Sequence, residues 1–385
     1  MIGHGFMGAA HSQGWRVAPR FFDLPINPEM SVLVGHDAEN ARAAAERWGW
    51  TRSADDWRDV VASDDVDVID IVTPGDSHAE IAIAALDAGK HVLCEKPLAN
   101  TVEEAEAMAA AAERAAARGA LAMVGFTYRR VPAMALAREL VTAGRIGRIL
   151  QVRAEYLQDW LVDPEAPLTW RLQKDRAGSG ALGDIGAHAA DIVEYITGDR
   201  LASISGILET LVHERPLLAK STGLVGTAAA ERGKVTVDDV ALFTARLESG
   251  ALASFEATRF RTGRKNALRI EMSGTDGAIA FDLERLNELQ FYDGTAPAGE
   301  RGFRTIMVTE PEHPWIPAWW PAGHTLGYEH GFANQAADFI RAIAAGEQPQ
   351  PSFADGLHNQ RILDAIERSS SNASAWTRVE PEVSR

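Results

Sequence analysis

The chain has 385 residues, 46% of them hydrophobic, and is long enough for two domains that each bury a core. Its 54 acidic against 38 basic residues give a formal net charge of -16, which disfavours binding to nucleic acid and to anionic membrane surfaces. A single cysteine excludes a disulfide within this sequence and a zinc site made of cysteines. No apolar run approaches the roughly 20 residues of a membrane span. We therefore expect a cytoplasmic protein with small-molecule partners.

The first predicted element is a glycine-rich turn with the spacing G-x-G-x-x-G. Glycines let the backbone approach a pyrophosphate closely, and the helix that follows offers free N–H groups, so the turn predicts a dinucleotide site. Only Met1 and Ile2 precede it where a strand of about five residues is expected, so we expect the first strand to begin before Met1. The residues of the turn that we assign to the cofactor are Gly3, Gly5, Phe6, Met7 and Gly8.

Short β-branched runs then alternate with alanine-rich helical stretches as far as about residue 130. This alternation is typical of a parallel sheet covered by crossover helices, and it predicts a doubly wound Rossmann domain over residues 1–130. Ser77 and Glu80 match a capping box, which places the preceding loop at the carboxyl end of a strand. The predicted strands are 31–35, 66–73, 90–95 and 121–126, and the predicted helices are 38–48, 78–88 and 102–118.

The end of strand 31–35 should carry the acid that binds the adenosine ribose, but that position holds Gly35. A small residue followed by His36, which can become a cation, leaves room for a 2′-phosphate. Alternatively, Asp37 binds the ribose, although it is also the expected N-cap of the next helix. The cofactor prediction is therefore NAD or NADP.

Beyond residue 131 the pattern changes to longer strands with period-2 alternation. It predicts an α+β domain over residues 131–385 with a large, mostly antiparallel sheet, one face of which another subunit could cover in a homodimer or homotetramer. The whole chain is thus expected to be α/β. We predict strands at 149–160, 240–248, 250–260 and 266–274, helices at 133–143, 332–345 and 353–370, and loops at 215–234 and 311–327.

Two groups of residues suggest chemistry. Lys96 follows the apolar run 90–95, and ligands of α/β proteins bind at the carboxyl ends of strands. Asp184, His188 and Asp191 would project from one face of a regular helix. A histidine oriented by a carboxylate could take a hydroxyl proton while the lysine stabilises the alkoxide. The alternatives are a purely structural lysine and histidine, or a metal held by the three helix residues, which we disfavour because a further ligand is lacking.

Several tryptophans could stack on a sugar ring, although most tryptophans are core or interface residues. We single out Trp170 together with Arg171 as substrate-binding candidates. The others considered are Trp160, Trp315, Trp319 and Trp320.

In this order, the segments GHGFMG, CEKPLAN and GSGALGDIGAHAAD resemble those of the Gfo/Idh/MocA family of NAD(P)-dependent oxidoreductases. The resemblance covers nearly the whole chain. It implies a Rossmann domain followed by a β-sheet domain that usually forms dimers or tetramers. It also implies hydride transfer between NAD(P) and a carbon of a cyclic polyol, inositol or sugar. The same family includes NAD-using glycosidases and a dinucleotide-sensing regulator without catalysis, which remain the alternatives.

Carried over by motif, the resemblance assigns Lys96, Asp184 and His188 as the catalytic, substrate-contacting residues, with His188 as the proton acceptor. A non-catalytic sensor would have no need of these three side chains. No metal is expected. The residues that the resemblance places beside the cofactor are Thr73, Pro74, His78, Glu95, Lys96 and Pro97.

Overall fold

The N-terminal part of the structure, a computed structural model that describes residues 1–222 and 225–379, is built on a parallel sheet. Ile2 bridges Val34 on one side and Ile71 on the other, so the strand order is β2–β1–Ile2–β3–β4–β5. This is the doubly wound Rossmann order, in which the glycine-rich turn lies where the order reverses. The strands are β1 (Val32–Val34), β2 (Arg52–Ala54), β3 (Val68–Ile71), β4 (His91–Cys94) and β5 (Ala122–Val124).

Helices cover both faces of this sheet, and the predicted ones are confirmed to within two residues at each end. The short strand β2 and helix α3 were not predicted, because β2 has only three residues and its side chains are polar or small. The helices are α1 (Phe6–Phe21), α2 (Ala38–Trp48), α3 (Trp57–Ala62), α4 (His78–Asp87) and α5 (Val102–Ala116).

The predicted capping box at the start of α4 is wrong. Ser77 closes a 3₁₀ turn and has a backbone in the helical region, so its side chain cannot reach forward into α4. Its hydroxyl instead lies within hydrogen-bonding distance of Thr73 Oγ1, at 2.7 Å, and of the Pro74 carbonyl oxygen, at 2.9 Å. Glu80 pairs with Arg58 at 2.6 Å. The serine therefore holds the loop after β3 rather than the helix.

The second part of the chain forms a nine-stranded sheet in which only the β6–β11 pair is parallel. The predicted large antiparallel sheet is confirmed, and its order is β15–β14–β13–β12–β6–β11–β10–β7–β16. Its strands are β6 (Ile149–Leu157), β7 (Leu201–Glu209), β10 (Val240–Leu247), β11 (Leu252–Thr258), β12 (Ala267–Gly274), β13 (Gly277–Asp282), β14 (Glu288–Asp293), β15 (Phe303–Met307) and β16 (Thr377–Arg378). The associated helices are α6 (Pro132–Thr142), α7 (Lys174–Ala177), α8 (Ala187–Thr197), α9 (His330–Ala345) and α10 (Phe353–Ser371).

The loop predicted at 215–234 is wrong, because strands β8 (Glu214–Thr222) and β9 (Val225–Lys234) pair there as an antiparallel ribbon. The base of the ribbon is anchored by Arg215, whose buried guanidinium donates to the carbonyl oxygens of Leu161 and Asp163 at 2.7 Å. The ribbon is thus stabilised by backbone pairing and by the buried Arg215, and its sequence lacks the apolar alternation by which a strand is usually predicted.

The apolar face of the large sheet is covered by helices of the same chain. Phe243 on β10 and Phe255 on β11 stack with ring centroids 4.4 Å apart inside the core, and α8 and α10 pack over this face. The expectation that these alternating residues would be left for another subunit to cover is therefore wrong. The outer face carries Ile207, Leu242 and Leu252 as exposed apolar residues among polar ones.

The last two long helices return to the N-terminal part. α9 crosses α1 so closely that a side-chain carbon on Gly14 would lie 2.8 Å from the Phe332 carbonyl oxygen, and α10 packs against α5 and β5. The division into residues 1–130 and 131–385 stays a prediction, because the C-terminal helix α10 contacts both sheets. None of the helices in the described ranges is long and apolar enough to cross a membrane.

Candidate active site

The glycine-rich turn has the shape that a dinucleotide requires. Gly3 has φ 109°, and a side-chain carbon there would lie 2.9 Å from the Val72 carbonyl oxygen. Gly8 does not line the cavity; a side-chain carbon on it would lie 2.8 Å from the Gly3 oxygen, so it lets α1 pack on the turn. Gly5 is the N-cap of α1 and has open space around it. The open space at the helix N-terminus fits a pyrophosphate group.

A cavity of about 1070 Å³ runs from this turn to the edge of the large sheet. Its size and position suit a dinucleotide together with a small substrate. The predicted cofactor residues that line it are Gly3, Gly5, Phe6, Met7, His36, Thr73, Pro74, His78, Glu95, Lys96 and Pro97. The predicted substrate residues that line it are Lys96, Trp170, Arg171, Asp184 and His188.

At the end of the cavity beside β1, position 35 has no room for a side chain, because His4 occupies the space next to Gly35. A side-chain carbon on Gly35 would lie 2.2 Å from His4 Nδ1. Asp37 caps α2 by accepting hydrogen bonds from the backbone N–H groups of Glu39 and Asn40. His36 and Asp37 are both exposed at the cavity wall. Both therefore remain accessible to the adenosine ribose, and both the NADP interpretation through His36 and the NAD interpretation through Asp37 stay open.

His78 joins the two loops that follow β3 and β4. Its ring nitrogens lie 2.9 Å from the Thr73 carbonyl oxygen and 3.0 Å from the Pro97 carbonyl oxygen. The histidine is buried and fixes the distance between the loops. Its ring therefore positions the cavity wall on which Thr73 and Pro74 lie.

Below the strand end that carries Lys96, a buried histidine bridges two carboxylates. His11 Nδ1 lies 3.0 Å from both Asp70 carboxylate oxygens, and Nε2 lies 2.9 Å from Glu95 Oε1. Trp15 Nε1 donates to Asp70 at 2.7 Å. Burial alone would lower the pKa of His11, but the two carboxylates outweigh burial and raise the pKa to about 10. His11 is therefore a cation that holds Glu95 in place.

Lys96 and Asp184 meet on the other side of this strand end. Lys96 Nζ donates to the Asp184 backbone oxygen at 2.6 Å and lies 3.9 Å from Oδ1. The buried Arg259 lies 3.4 Å from Asp184 Oδ2. Burial would raise the pKa of Asp184, but the cationic groups of Lys96 and Arg259, with Arg171, outweigh burial and lower the pKa below its usual value. Asp184 is therefore an ionised carboxylate between two cations.

His188 lies in an apolar, aromatic setting near Lys96. Its ring centroid is 4.7 Å from that of Tyr128 and 6.0 Å from those of Phe126 and Tyr156. Burial, and then the charge of Lys96, lower the pKa of His188 well below its usual value. The imidazole is thus neutral and able to accept a proton at neutral pH.

The prediction that Asp191 shares a face with Asp184 and His188 is wrong. Residues Leu182–Gly186 form a π-helical turn ahead of α8, which changes the angular spacing assumed for a regular helix. Asp191 points away from the cavity and forms a bidentate pair with Arg129 at 2.9 and 2.5 Å. This pairing also removes the metal alternative that needed all three side chains, and no cluster of metal-ligating side chains occurs within the described ranges.

Of the tryptophans considered for sugar stacking, two line the cavity and three do not. Trp170 and Trp160 line the cavity, and the Arg171 guanidinium lies 4.4 Å over the Trp170 ring. Trp315, Trp319 and Trp320 do not line it; Trp319 packs against Phe21, for example, with ring centroids 4.8 Å apart. Trp319 also donates to Asn334 and so joins α9 to α1. Trp315 donates to Asp338 on α9, and Trp320 packs on Phe21 of α1.

Sequence reasoning considered Trp160 but missed the four polar residues that join it on the wall opposite the glycine-rich turn. They form a continuous chain of side-chain hydrogen bonds, with separations between 2.6 and 2.9 Å. Burial raises the pKa of the Tyr128 hydroxyl and raises that of Tyr156 further, so both phenols keep their protons. Arg259 was also missed. The members of the chain are Tyr128, Tyr156, Asn266, Gln158 and Trp160.

A glycine-rich turn at the switch point of a parallel sheet, joined by one cavity to a lysine, a carboxylate and a neutral histidine, is the arrangement of a dinucleotide-dependent oxidoreductase. Residues 1–126 match the family model described as oxidoreductase family, NAD-binding Rossmann fold, and residues 134–280 match the GFO/IDH/MocA C-terminal domain. The chain belongs to the Gfo/Idh/MocA family, as its sequence motifs predicted.

Three relatives resemble the chain over almost its entire length. The levoglucosan dehydrogenase of Pseudarthrobacter phenanthrenivorans is 44% identical, over 100% of this chain and 98% of its own. The crystal structure of an oxidoreductase domain protein from Kribbella flavida is 63% identical, with TM-score 0.94 over 99% of this chain and 98% of its own. A levoglucosan dehydrogenase structure in complex with NADH and levoglucosan is 43% identical, with TM-score 0.92 over 99% of this chain and 98% of its own.

Proposed function

We propose that this protein is an NAD-dependent dehydrogenase that oxidises a secondary hydroxyl group of a cyclic sugar. The observation that carries the proposal is the convergence of Lys96, Asp184 and His188 in the cavity that begins at the glycine-rich turn. The dehydrogenase relative that is 44% identical acts, by its name, on levoglucosan, which supports an anhydro sugar or a pyranose as substrate.

Oxidation of an alcohol removes a hydroxyl proton as the adjacent carbon loses hydride. His188 is suited to accept the proton because its imidazole is neutral, packs against Tyr128 and lines the same cavity as Lys96. Lys96 is suited to donate a hydrogen bond to the same oxygen and to stabilise its developing negative charge. The C–O bond then becomes a carbonyl, and the proton stays on the imidazole until solvent removes it.

Asp184 orients this lysine. Its backbone oxygen accepts a hydrogen bond from Lys96 Nζ, and its carboxylate offsets the positive charges of Lys96 and Arg259. The carboxylate can also accept a hydrogen bond from a neighbouring sugar hydroxyl, because Arg259 lies as far as 3.4 Å from Oδ2 and the carboxylate lines the cavity. We assign Trp170 and Arg171 to the sugar-binding wall on the basis of their place in the cavity.

The nicotinamide dinucleotide supplies the hydride acceptor when it binds at the Gly3–Gly8 turn. We propose NAD as the preferred form. Asp37 and Asp55 add negative charge to the ribose end of the cavity, and Arg58, the cation there, is already paired with Glu80 at 2.6 Å. This charge distribution disfavours a 2′-phosphate. His36 is an exposed residue of this wall that could favour the phosphate if it carried a proton, and its replacement therefore tests the assignment.

We further propose a homodimer or homotetramer assembled through the outer face of the large sheet. Ile207, Leu242 and Leu252 are 43 to 52% exposed on that face. Neighbouring strands place Ile207 directly opposite Leu242, so the apolar area is continuous there. Light scattering at micromolar protein would detect the assembly, and a monomer at that concentration would contradict it.

The function is tested by following NADH formation with levoglucosan and a panel of pyranoses and inositols. We expect turnover with a sugar and none after Lys96→Met, while the variant still binds NADH in a fluorescence titration. If NADH binds to the parent but no sugar or polyol supports reduction, the proposed reaction is wrong. If Lys96→Met turns over like the parent, the lysine is structural.

A further inference from the structure

The cavity wall opposite the glycine-rich turn contains a chain of five hydrogen-bonding side chains. Trp160 Nε1 donates to Gln158 Oε1 at 2.8 Å, and Gln158 Nε2 donates to Asn266 Oδ1 at 2.9 Å. Asn266 Oδ1 also accepts from the Tyr156 hydroxyl at 2.8 Å, and the hydroxyls of Tyr156 and Tyr128 lie 2.6 Å apart. All five residues line the cavity.

The direction of every bond in this chain follows from one residue. An indole nitrogen can only donate, so Trp160 requires the oxygen of the Gln158 amide to face it. The Gln158 nitrogen must then face Asn266, which in turn must present its oxygen. An amide oxygen carries no proton and can only accept, so the Tyr156 hydroxyl donates its proton to Asn266 Oδ1.

The direction of the hydrogen bond between the Tyr128 and Tyr156 hydroxyls follows in the same way. Because the Tyr156 proton is used, Tyr128 must donate its own proton to the Tyr156 oxygen. The Tyr128 oxygen then has only lone pairs to offer. The Asn266 oxygen is used by Gln158 and Tyr156, so what Asn266 has left to offer the cavity is its amide nitrogen, which can only donate.

We propose that this chain is a specificity-determining device in which Trp160 fixes Tyr128 as a hydrogen-bond acceptor and Asn266 as a hydrogen-bond donor toward the sugar. The proposal rests on the proposed function and adds a requirement to it. The substrate must present a hydroxyl that donates to Tyr128 Oη, next to an oxygen that accepts from Asn266 Nδ2. A ring or bridging ether oxygen satisfies the second requirement, because it needs no proton of its own.

The chain predicts that Trp160 affects substrate discrimination although it is the member farthest along the chain from His188. Trp160 ends the chain farthest from His188, while Tyr128 lies against His188 with ring centroids 4.7 Å apart. If the indole donor is removed, the Gln158 amide can turn over, and the protons of both tyrosines lose their fixed direction. Tyr128 could then donate to the sugar in some molecules and accept in others.

The test uses a sugar that the parent oxidises and its monodeoxyfluoro analogues, in which fluorine replaces one hydroxyl and removes its donor. We expect one non-reacting position at which fluorination lowers kcat/KM about 5- to 150-fold, mostly through KM, because one polar group is left unpaired. Trp160→Phe should reduce this discrimination to within about threefold. Trp315→Phe is the matched control, because it changes a tryptophan that does not line the cavity, and it should leave the discrimination unchanged.

An unchanged fluorine effect in folded Trp160→Phe would overturn the proposal. A second measurement needs no variant: neutron diffraction from deuterium-exchanged crystals of the protein shows the protons directly. We expect deuterium on Tyr128 Oη directed at Tyr156 and an Asn266 amide deuteron directed into the cavity. A Tyr156 deuteron directed at Tyr128 would contradict it. Sugar affinity without turnover would defeat the proposed reaction alone, whereas a parent that binds no sugar would defeat both.

Discussion

His11 and His188 lie on opposite sides of the strand end that carries Glu95 and Lys96, and their surroundings are opposite in charge. His11 contacts the carboxylates of Asp70 and Glu95. His188 contacts aromatic rings and the field of a lysine. Burial lowers the pKa of both imidazoles, but the carboxylates reverse this effect for His11 and raise its pKa to about 10.

This difference shows how adjacent residues of one turn can serve two purposes. Glu95 is directed into the Rossmann part, where a permanent cation locks it. Lys96 is directed into the cavity, beside an imidazole that stays neutral. Burial by itself therefore does not decide whether a histidine is a fixed cation or a proton acceptor; the charge of its neighbours decides.

The largest effect is expected on the cavity side. His188→Ala should lower kcat by roughly a hundred- to ten-thousand-fold, because a positioned proton acceptor typically contributes that much. Steady-state kinetics with the identified sugar measures it, and NADH affinity should change little. His213→Ala, at an exposed histidine outside the cavity, is the matched control. A loss of only a few fold in His188→Ala would leave the proton acceptor unidentified.

On the buried side the effect should fall on stability. His11→Gln removes the cation between two buried carboxylates, which we expect to cost about 3–5 kcal/mol of unfolding free energy. Chemical denaturation followed by fluorescence measures the change. The exposed His213→Gln should stay within about 0.5 kcal/mol of the parent. A similarly small change in His11→Gln would show that the carboxylates do not depend on His11.

The same pair predicts a pH dependence with a definite sign. The folded pKa of His11 is raised from 6.5 to about 10, so its contribution to stability is complete below pH 6.5 and is lost as the pH rises towards 10. Denaturation curves across this window should show parent stability falling more steeply than that of His11→Gln. Parallel pH profiles would contradict the charged state of His11.

The smallest effect concerns the cofactor. His36→Asp should increase the preference for NAD over NADP by several fold, since it adds a carboxylate beside the ribose and removes the group that could favour a phosphate. The ratio of kcat/KM values for the two cofactors measures this change. An unmodified protein that prefers NADP, with no response to the substitution, would place the ribose away from the end of β1.

The elements of the Rossmann part were readable because strands buried on both faces leave continuous apolar runs. The strand containing Val92 is an example, and the helix starting at Ala38 could be placed because Asp37 is a typical N-cap. Ser77 was misread because its sequence spacing suits a capping box, while its backbone is already in the helical region. The β8–β9 ribbon was missed because its sequence has small and polar residues where a strand usually shows alternation.

Within the site, Lys96, Asp184 and His188 could be found because short motifs carry them. Gln158, Arg259 and Asn266 belong to no such motif. They come together because Leu157 of β6 pairs with Thr258 of β11 and with Ala267 of β12, so the residues next to these three positions share one edge of the sheet. Such a meeting depends on strand register across more than 100 residues, which no local pattern encodes.

The most direct test of the two opposite protonation states is nitrogen NMR of the parent protein labelled with ¹⁵N-histidine, with single-histidine variants providing the assignments. At about pH 7.5, an ordinary histidine is mostly neutral. We predict that both ring nitrogens of His11 carry protons at this pH, while His188 shows one protonated and one unprotonated nitrogen. A neutral His11 or a fully protonated His188 at this pH would contradict the account.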